Sequence, residues 1–179
     1  MDKKNLREFF QNRRQALSPQ RRREAAEAFY LKGIEIARSF PFILSFSPMH
    51  EELNLNLLND FLALKGKLWL PKVSGDQLEI YHVEDLENDV TPSSWEILEP
   101  IPDRCQKADL SLPFCCFVPG IAFDSRHHRL GFGKGFYDRF LFNNSGCNKT
   151  FGVGFKEQLF EKPLPLEPHD QPLDHLLLF

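Results

Sequence analysis

The stretch that decides the fold runs from Val118 to Phe140 and reads VPGIAFDSRHHRLGFGKGFYDRF. It begins in an apolar, strand-like segment, crosses a basic segment with three glycines after Arg129, and opens into an aromatic segment where a helix is expected near Gly135. Backbone N–H groups in a glycine-rich turn and at a helix N-terminus bind anions. The stretch therefore predicts a strand, an anion-binding loop and a helix in succession.

Strands and helices also alternate on both sides of this stretch. Two helices are predicted first, over 2–16 and from Pro19 onward, because Ser18 can cap the second helix and proline suits its first turn. We therefore expect one α/β domain over residues 1–179, with three layers around a largely parallel sheet and two N-terminal helices. Further strands are predicted at 42–48, 68–73, 78–83, 113–123, 151–155 and 174–179, a helix at 53–66, and irregular structure at 84–112.

The composition is that of a soluble globular protein, with 42% hydrophobic and 26% charged residues. No apolar run approaches the roughly 20 residues of a membrane helix, and the first residues are too polar for a secretory signal. We therefore expect a cytoplasmic protein. The four cysteines lack C-x-x-C spacing, which favours free thiols, with Cys115 and Cys116 in a buried strand; the other two are Cys105 and Cys147.

Charge is unevenly distributed along the chain. Residues 1–38 hold ten Lys and Arg against five Asp and Glu, whereas the whole chain has a net charge of −3. Such a basic segment can bind nucleic acid, or it can cover the phosphates of a small ligand. The pI of about 6.1 argues against nucleic acid, because domains that bind phosphate backbones are usually basic overall. The consecutive cations Arg21, Arg22 and Arg23 are expected to form a solvated surface.

The first predicted helix carries a basic stripe. On a helical wheel of about 100° per residue, Leu6 and Phe10 form the apolar seam, and Lys3, Arg7 and Arg14 lie together beside it. A stripe in this position can point into a cleft. It can equally cover apolar surface with the methylene groups of its side chains.

The segment RLGFGKGFYDR, residues 129–139, has the chemistry of a phosphate site. Alternate glycines permit positive φ and close approach of the backbone to a ligand, and two cations add charge. Asp138 can hold a Mg²⁺ ion that bridges phosphates, or it can simply compensate the helix dipole. Neither the GxxxxGK[ST] loop nor the GxGxxG motif is present. We favour a magnesium–nucleotide site over a structural turn, formed by Arg129, Gly131, Gly133, Lys134, Gly135 and Asp138.

The same stretch resembles the signature of the 5-formyltetrahydrofolate cyclo-ligase (5,10-methenyltetrahydrofolate synthetase) family, VPGLAFD followed by RLGxGKGYYDR. Two positions depart from the family pattern, because His127 stands where the family has Gly, and Phe136 replaces the first Tyr. Both departures leave the cations, the glycines and Asp138 in place, so we interpret them as tolerated. Further segments similar to family motifs are KKNLR (3–7), SFSPMHEELN (45–54), LWLPKV (68–73), WEILEP (95–100), GFKEQ (154–158) and LPLEPHDQPLD (164–174).

The resemblance implies an enzyme that uses ATP and Mg²⁺ to cyclise 5-formyltetrahydrofolate to 5,10-methenyltetrahydrofolate, with release of ADP and phosphate. It also implies a Rossmann-like architecture similar to that of sugar-phosphate isomerases and CoA-transferase-like proteins. The expected partners are the folate substrate and ATP, without nucleic acid or membrane, and the expected state is a monomer. A nucleic-acid-binding module and a sugar-phosphate isomerase are the alternatives.

The resemblance also implies roles for individual residues. Asp170 would join Asp138 as a magnesium ligand, and Glu52 would bind the pterin ring with help from Ser47 and Tyr137. Without the family, Asp170 can be read as an Asx turn and Glu52 as a helix N-terminal acid. The implied catalytic residues are Arg129, Lys134 and Tyr137. The implied ATP-binding residues are Lys3, Lys4, Asn5, Leu6, Arg7, Arg129, Leu130, Gly131, Phe132, Gly133, Lys134, Gly135, Phe136 and Tyr137.

Overall fold

A computed structural model describes residues 2–49, 51–93, 97–144 and 148–179. The α-helices in these ranges are α1 (Lys3–Gln15), α2 (Pro19–Ala37), α3 (Asn56–Leu64) and α4 (Phe136–Asn143), and a short 3₁₀ helix covers Lys156–Gln158. The strands are β1 (Phe42–Leu44), β2 (Leu68–Ser74), β3 (Gln77–His82), β4 (Val90–Pro92), β5 (Leu98–Pro100), β6 (Gln106–Lys107), β7 (Phe114–Pro119), β8 (Ala122–Asp124), β9 (Arg129–Leu130), β10 (Asn148–Gly154), β11 (Leu159–Phe160) and β12 (His175–Leu178).

The central sheet has seven strands in the order β12-β10-β7-β1-β2-β3-β6. The first five are parallel to one another, and β3 and β6 extend the sheet antiparallel to their neighbours. The antiparallel step follows from the tight turn between β2 and β3, where Gly75 has φ +61°. The α/β fold class is therefore confirmed, and the sheet is mixed because an antiparallel edge extends its five parallel strands.

Helices cover both faces of this sheet. On one face, α2 and α3 pack through Phe29 and Leu62 against strand residues such as Ile43. On the other face, Phe140 and Leu141 of α4 pack against strand residues that include Leu44, Trp69 and Val118. The core therefore lies in two apolar layers, one on each side of the sheet, as a three-layer α/β domain requires.

The adjacent thiols of β7 belong to different layers. Cys115 lies in the cluster with α2 and α3, whereas Cys116 lies in the cluster with α4, because successive side chains of a strand point to opposite faces. Both are free and fully buried, and burial raises the pKa of Cys116 to about 12. Both are inert apolar groups at neutral pH, as is Cys105, while Cys147 lies outside the described residues.

Several predicted boundaries are wrong. The first strand ends at Leu44, and the helix expected over 53–66 begins at Asn56 and ends at Leu64, before Gly66 with φ +62°. The polar segment 84–112 contains three short strands, β4, β5 and β6. These strands are stabilised by pairing between distant segments, which local propensity does not report.

The basic run of α2 serves the fold. Arg21 forms an ion pair with Glu157 at 2.8 Å, and Arg22 donates to the backbone oxygens of Leu17, Glu51 and Arg14. Two of the three consecutive cations therefore fix α2 against its neighbours. This use leaves little of the run for a nucleic-acid surface. No helix within the described ranges has the length and apolar character needed to cross a membrane.

A tight turn joins β8 to β9 at the position where the family pattern has glycine. His127 adopts φ +64°, and it is the only non-glycine residue with positive φ in the described part of the chain. Its N–H donates to the Asp124 oxygen at 3.0 Å, and its own carbonyl accepts the N–H of Leu173 at 3.0 Å. The turn thus keeps a backbone conformation that glycine adopts without strain, at an energetic cost to histidine.

We expect His127→Gly to raise the free energy of unfolding by about 1 kcal/mol, because the left-handed conformation costs a non-glycine residue about that much. In a chain of this size, that change corresponds to a Tm increase of about 2–4 °C. Ser125→Gly, in the same turn but without positive φ, is the matched control and is expected to lower stability slightly. Denaturant unfolding of the three proteins measures the difference, and an unchanged or lower stability for His127→Gly would contradict this interpretation.

Candidate active site

The topology of the sheet places a crevice between β1 and β7. These strands are neighbours, but the chain leaves β1 towards β2 on one side and leaves β7 towards β10 on the other. In open α/β sheets, ligands bind outside the carboxyl ends of the strands at such a switch point. Glu52 lies in the segment that follows β1, and the segment 120–138 follows β7. Both parts of the predicted site therefore belong to this crevice.

The turn after β7 is fixed by Gln158, which is only 2% exposed. Its side-chain amide donates to the carbonyl oxygens of Gly120 at 2.7 Å and Ile121 at 3.0 Å, and its oxygen accepts the N–H of Phe155 at 2.8 Å. All three bonds are buried, so losing them would leave several backbone groups unsatisfied. The Gln of the GFKEQ segment therefore has a structural role in orienting the chain towards the site.

Asp124 organises the β8–β9 hairpin that follows. Its fully buried carboxylate accepts N–H groups of Arg126, His128 and Leu164, each at 3.0 Å. Burial alone would raise the pKa of this carboxyl, but the three hydrogen bonds hold the pKa below its ordinary value. The Asp of VPGIAFD thus ties the hairpin to the segment that leads to Asp170.

The glycine segment forms an open loop between β9 and α4. Gly133 and Gly135 have φ of +93° and +68°, respectively, and Gly135 immediately precedes α4 without a side-chain cap. A Cβ at Gly133 would lie 3.2 Å from Nη2 of Arg7. The loop therefore needs glycine both for its conformation and for the close approach of an arginine, and its N–H groups have no capping side chain in competition with an anion.

Helix α1 brings two cations of the predicted stripe to this loop. Arg7 donates from Nε to the Gly131 oxygen at 2.8 Å, and Lys3 Nζ lies 2.8 Å from Oδ2 of Asp170 and 3.1 Å from Oε1 of Glu167. Both side chains are partly exposed. The first and last predicted motifs, separated by more than 160 residues in the sequence, thus meet at the loop.

Leu6 and Leu130 occupy the core instead of the crevice. Both are almost fully buried, in one cluster with Phe10, Ile121 and Leu164. Their side chains anchor α1 to the β8–β9 hairpin, which holds Lys3 and Arg7 in place. Any contact with a nucleotide at these two positions can come only from the backbone, whereas Lys4 and Asn5 are exposed on the same helix.

Arg129 lies on strand β9 and not in the loop where the sequence pattern would put it. Its guanidinium donates from Nη2 to Oδ1 of Asp138 at 2.8 Å and from Nη1 to the Gln171 oxygen at 3.2 Å. The Gln171 N–H also donates to Oδ1 of Asp138 at 3.1 Å. Asp138 and Gln171, which is adjacent to Asp170, therefore form one hydrogen-bonded unit with the buried Arg129.

The two predicted magnesium ligands are thus close in the fold, and each is paired with a cation. Asp138 uses Oδ1 for Arg129, and Asp170 uses Oδ2 for Lys3 and for the Glu167 N–H. No cluster of three or more potential metal-ligating side chains occurs in the described ranges. Mg²⁺ characteristically binds one or two carboxylates, with phosphate oxygens and water completing its octahedron, and this donor set fits that chemistry.

Lys134 and Phe132 project from the loop. Both are exposed, Phe132 by 46%, and the Lys134 ammonium forms no ion pair with any of the described residues. The Lys134 carbonyl accepts from Nη2 of Arg139, whose guanidinium lies 5.4 Å from the ring of Phe136. The loop is therefore supported from behind, while its lysine is available to a ligand.

The other wall of the crevice carries Glu52 and Tyr137. Glu52 is 9% exposed and accepts the Met49 N–H at 3.0 Å; burial raises its pKa despite this bond and the nearby Arg14. Burial likewise raises the pKa of Tyr137, with further contributions from Cys116 and Glu52. Tyr137 therefore presents a neutral hydroxyl near a carboxylate. Ser47 donates to the Leu98 oxygen at 2.6 Å and lies at the edge of this wall.

Arg14 departs from the stripe predicted for α1. It is 2% exposed and lies with Nη1 3.9 Å from Oε1 of Glu52, so it is buried behind the crevice and does not project into it with Lys3 and Arg7. The helical wheel correctly places Arg14 beside the apolar seam of α1. It does not show that the segment after β1 supplies acidic partners that bury this arginine. The acidic pair Glu51–Glu52 was the available signal for a buried partner.

Comparisons with known proteins identify the family of this chain. A model of the 5-formyltetrahydrofolate cyclo-ligase family matches residues 1–178. The 5-formyltetrahydrofolate cyclo-ligase of Escherichia coli K12 is 33% identical over 178 residues, covering 92% of this chain and 93% of the relative. A probable 5-formyltetrahydrofolate cyclo-ligase of Schizosaccharomyces pombe is 32% identical over 143 residues, covering 71% and 69%, respectively. The solved structure of Aquifex aeolicus 5,10-methenyltetrahydrofolate synthetase is 31% identical with a TM-score of 0.83, covering 98% of this chain and 89% of that chain.

Proposed function

The chain belongs to the 5-formyltetrahydrofolate cyclo-ligase family, and from this premise we propose that it phosphorylates the formyl oxygen of its folate substrate with ATP. The observation that carries the proposal is the convergence of Lys3, Arg7 and the glycine loop around one crevice. Cations from α1 and backbone N–H groups from the loop form a binding surface for a polyphosphate, and Lys134 stands exposed beside it.

The chemistry requires activation because the N5-formyl group is an amide. Its carbon is a weak electrophile, and its oxygen is a poor leaving group. Transfer of the γ-phosphoryl group to that oxygen forms the O–P bond, releases ADP and gives an iminium phosphate at N5. N10 then attacks the formyl carbon and loses its proton, and phosphate departs with the original formyl oxygen to leave the methenyl bridge.

The protein's part in this sequence is to position the reactants and to balance charge. Lys3 and Arg7 would bind the polyphosphate from the α1 side, and the loop N–H groups would bind it from the α4 side. Lys134 would contact the γ-phosphoryl group while it is transferred, since this lysine is the exposed cation of the loop and forms no ion pair in the described residues. Arg129, with two donors already committed, would hold Asp138 in place and direct its remaining N–H groups to phosphate.

A Mg²⁺ ion would be held by Asp138 and Asp170 and would supply charge neutralisation to the phosphates. Each carboxylate has an oxygen outside the hydrogen bonds described above. Lys3, which now pairs with Asp170, would then turn towards the phosphate oxygens, while Arg129 keeps its bond to Asp138.

On the folate side, Glu52 would accept hydrogen bonds from the amino-pyrimidine edge of the pterin, while Tyr137 and Ser47 would line the same wall. The buried position of Glu52 strengthens such bonds, because they form away from bulk water. We further propose that the protein acts as a cytoplasmic monomer without nucleic-acid or membrane partners.

The proposed function is tested by incubating the protein with 5-formyltetrahydrofolate and following the absorbance of the methenyl product. We expect product only when Mg²⁺ and ATP are both present, with one ADP per product. Thermal unfolding with Mg·ATP or with a sugar phosphate separates this function from that of an isomerase. A ligand that binds the folded protein raises Tm, so we expect Mg·ATP to raise Tm and the sugar phosphate to leave it unchanged. Stabilisation by the sugar phosphate, without product from the folate, would reject the proposal.

A further inference from the structure

A buried arginine behind the crevice has incomplete hydrogen bonding. Arg14 lies in the last turn of α1, and its Nε and Nη1 have no hydrogen-bond partner among the described residues although they are inaccessible to solvent. A charged group is rarely buried without partners, because removing it from water is costly. An arginine kept in this state requires an explanation beyond packing.

Two carboxylates pair with this guanidinium, Glu51 with Oε2 3.7 Å from Nη2, and Glu52 on the side of the orphaned Nη1. Oε1 of Glu52 lies 3.9 Å from Nη1 of Arg14, too far for a hydrogen bond but close enough for strong attraction in a buried site. The other carboxylate oxygen, Oε2, accepts the Met49 N–H. Glu52 is therefore fixed on one side by the backbone and held on the other by charge alone.

The location of this pair connects it with the folate wall. Arg14 and Glu52 border one narrow gap at the carboxyl ends of the central strands, together with Pro119 at the end of β7, Gly120 after it and Val153 of β10. This is the switch point at which a ligand is expected. The backbone of Arg14 is also fixed, since Arg22 donates to its carbonyl oxygen.

We propose that Arg14 is a positioning residue for the folate substrate, acting through Glu52 by keeping this carboxylate ionised and oriented towards the crevice. The inference rests on the proposed role of Glu52 in binding the pterin. Arg14 would not touch the substrate, because the gap behind Glu52 has no room for a ligand. Its effect would therefore appear in folate binding and not in binding of ATP.

The charges around Glu52 give the expected direction with pH. Burial raises the pKa of Glu52, and the adjacent Glu51 adds to this, whereas the hydrogen bond from the Met49 N–H and the charge of Arg14 from α1 lower it. Tyr137 from α4 faces Glu52 as a neutral hydroxyl, and Arg22 from α2 lies behind Arg14. Removing the Arg14 charge leaves the two raising effects less opposed. The ionised fraction of Glu52 then falls at neutral pH and recovers at higher pH.

The experiment measures the KM for 5-formyltetrahydrofolate, as phosphate release at saturating Mg·ATP, between about pH 6 and about pH 9. Arg14→Met has a side chain of similar length but no charge. We expect it to raise the folate KM at neutral pH about tenfold, because the pterin would lose a hydrogen bond to an ionised Glu52 and such a loss weakens binding by about that factor. The KM profile should shift to higher pH, while the KM for ATP stays unchanged. Arg14→Lys, which keeps the charge, should restore most of the wild-type profile.

Glu52→Gln supplies the second side of a double-mutant cycle. It should raise the folate KM at every pH, and adding Arg14→Met should cause no further increase. A wild-type profile for Arg14→Met, or an extra loss in the double variant, would overturn the inference. If Arg14→Met does not fold, the comparison of the double variant with Glu52→Gln decides the question, because the double variant has no buried Glu52 carboxylate left without its cation. The turnover of the wild-type protein separates the two proposals. If the wild-type protein makes no product, the proposed function fails and the inference about Arg14 fails too. If it makes product, the variants test only the inference about Arg14.

Discussion

Lys134→Ala is expected to reduce the turnover number by about 10²–10³-fold while leaving the fold unchanged. The loss is the magnitude measured when one group that stabilises developing charge is removed from a preorganised site. The side chain is exposed and forms no ion pair in the described residues, so its removal breaks no native contact. Unfolding should therefore agree with wild type within about 0.5 kcal/mol.

A matched control distinguishes this effect from a general loss of positive charge. Lys149 is also exposed, but it lies near the start of β10, at the amino end of the parallel strands and away from the crevice. Lys149→Ala should retain wild-type turnover. Equal activity of Lys134→Ala and Lys149→Ala would show that the loop lysine takes no part in phosphoryl transfer.

Asp138→Ala is expected to lose both activity and stability. It removes a proposed magnesium ligand, and it also strips Arg129, whose side chain is only 4% exposed, of its carboxylate. Leaving one member of a buried ion pair without its partner costs about 3–5 kcal/mol; because the Asp138 side chain is 19% exposed, we expect about 3 kcal/mol. Denaturant unfolding and turnover measured on the same preparation test both parts.

Asp138→Asn separates the two losses. An asparagine keeps an oxygen that can accept from Arg129 and from the Gln171 N–H, so the stability loss should be smaller than for alanine. It lacks the charge that Mg²⁺ requires, so turnover should still fall by at least about 10²-fold. An active Asp138→Asn would contradict the metal role, and an undiminished stability of Asp138→Ala would contradict the ion-pair role.

Local chemistry predicted the parts of the fold that depend on neighbouring residues. Ser18 and Pro19 define the start of α2, and the Ser18 hydroxyl accepts the N–H of Arg21 at 3.1 Å. Gly135 likewise precedes α4, as the sequence pattern predicted. Caps and glycine turns are encoded within a few residues, so they can be read without knowledge of the tertiary structure.

The rest depends on contacts between distant segments. Arg129 belongs to a two-residue strand because it pairs with Phe123 in β8, and no local pattern marks so short a strand. Arg14 shares a wheel position with Lys3 and Arg7, yet only the acidic segment after β1 makes it a buried residue. The antiparallel edge formed by β3 and β6 similarly requires the pairing of residues about 25 positions apart, Tyr81 with Lys107 and His82 with Gln106.

The candidate site likewise has one part that is encoded by adjacent residues and another part that depends on contacts between distant segments. The glycine loop, Lys134 and Asp138 follow from the sequence because their chemistry is contiguous. The association of Lys3 with Asp170, and of Arg129 with Asp138 and Gln171, requires the fold. Charge pairing between the predicted cations and the predicted carboxylates was the unforeseen feature, and it follows from burying both signs in one crevice.

The path of the formyl oxygen tests the central claim most directly. The substrate is prepared with ¹⁸O in its N5-formyl group, turned over with unlabelled Mg·ATP in unlabelled water, and the released inorganic phosphate is analysed by mass spectrometry. If the crevice holds the γ-phosphoryl group against the formyl oxygen, each phosphate will carry one ¹⁸O atom. Unlabelled phosphate, with the label released to water, would contradict the account.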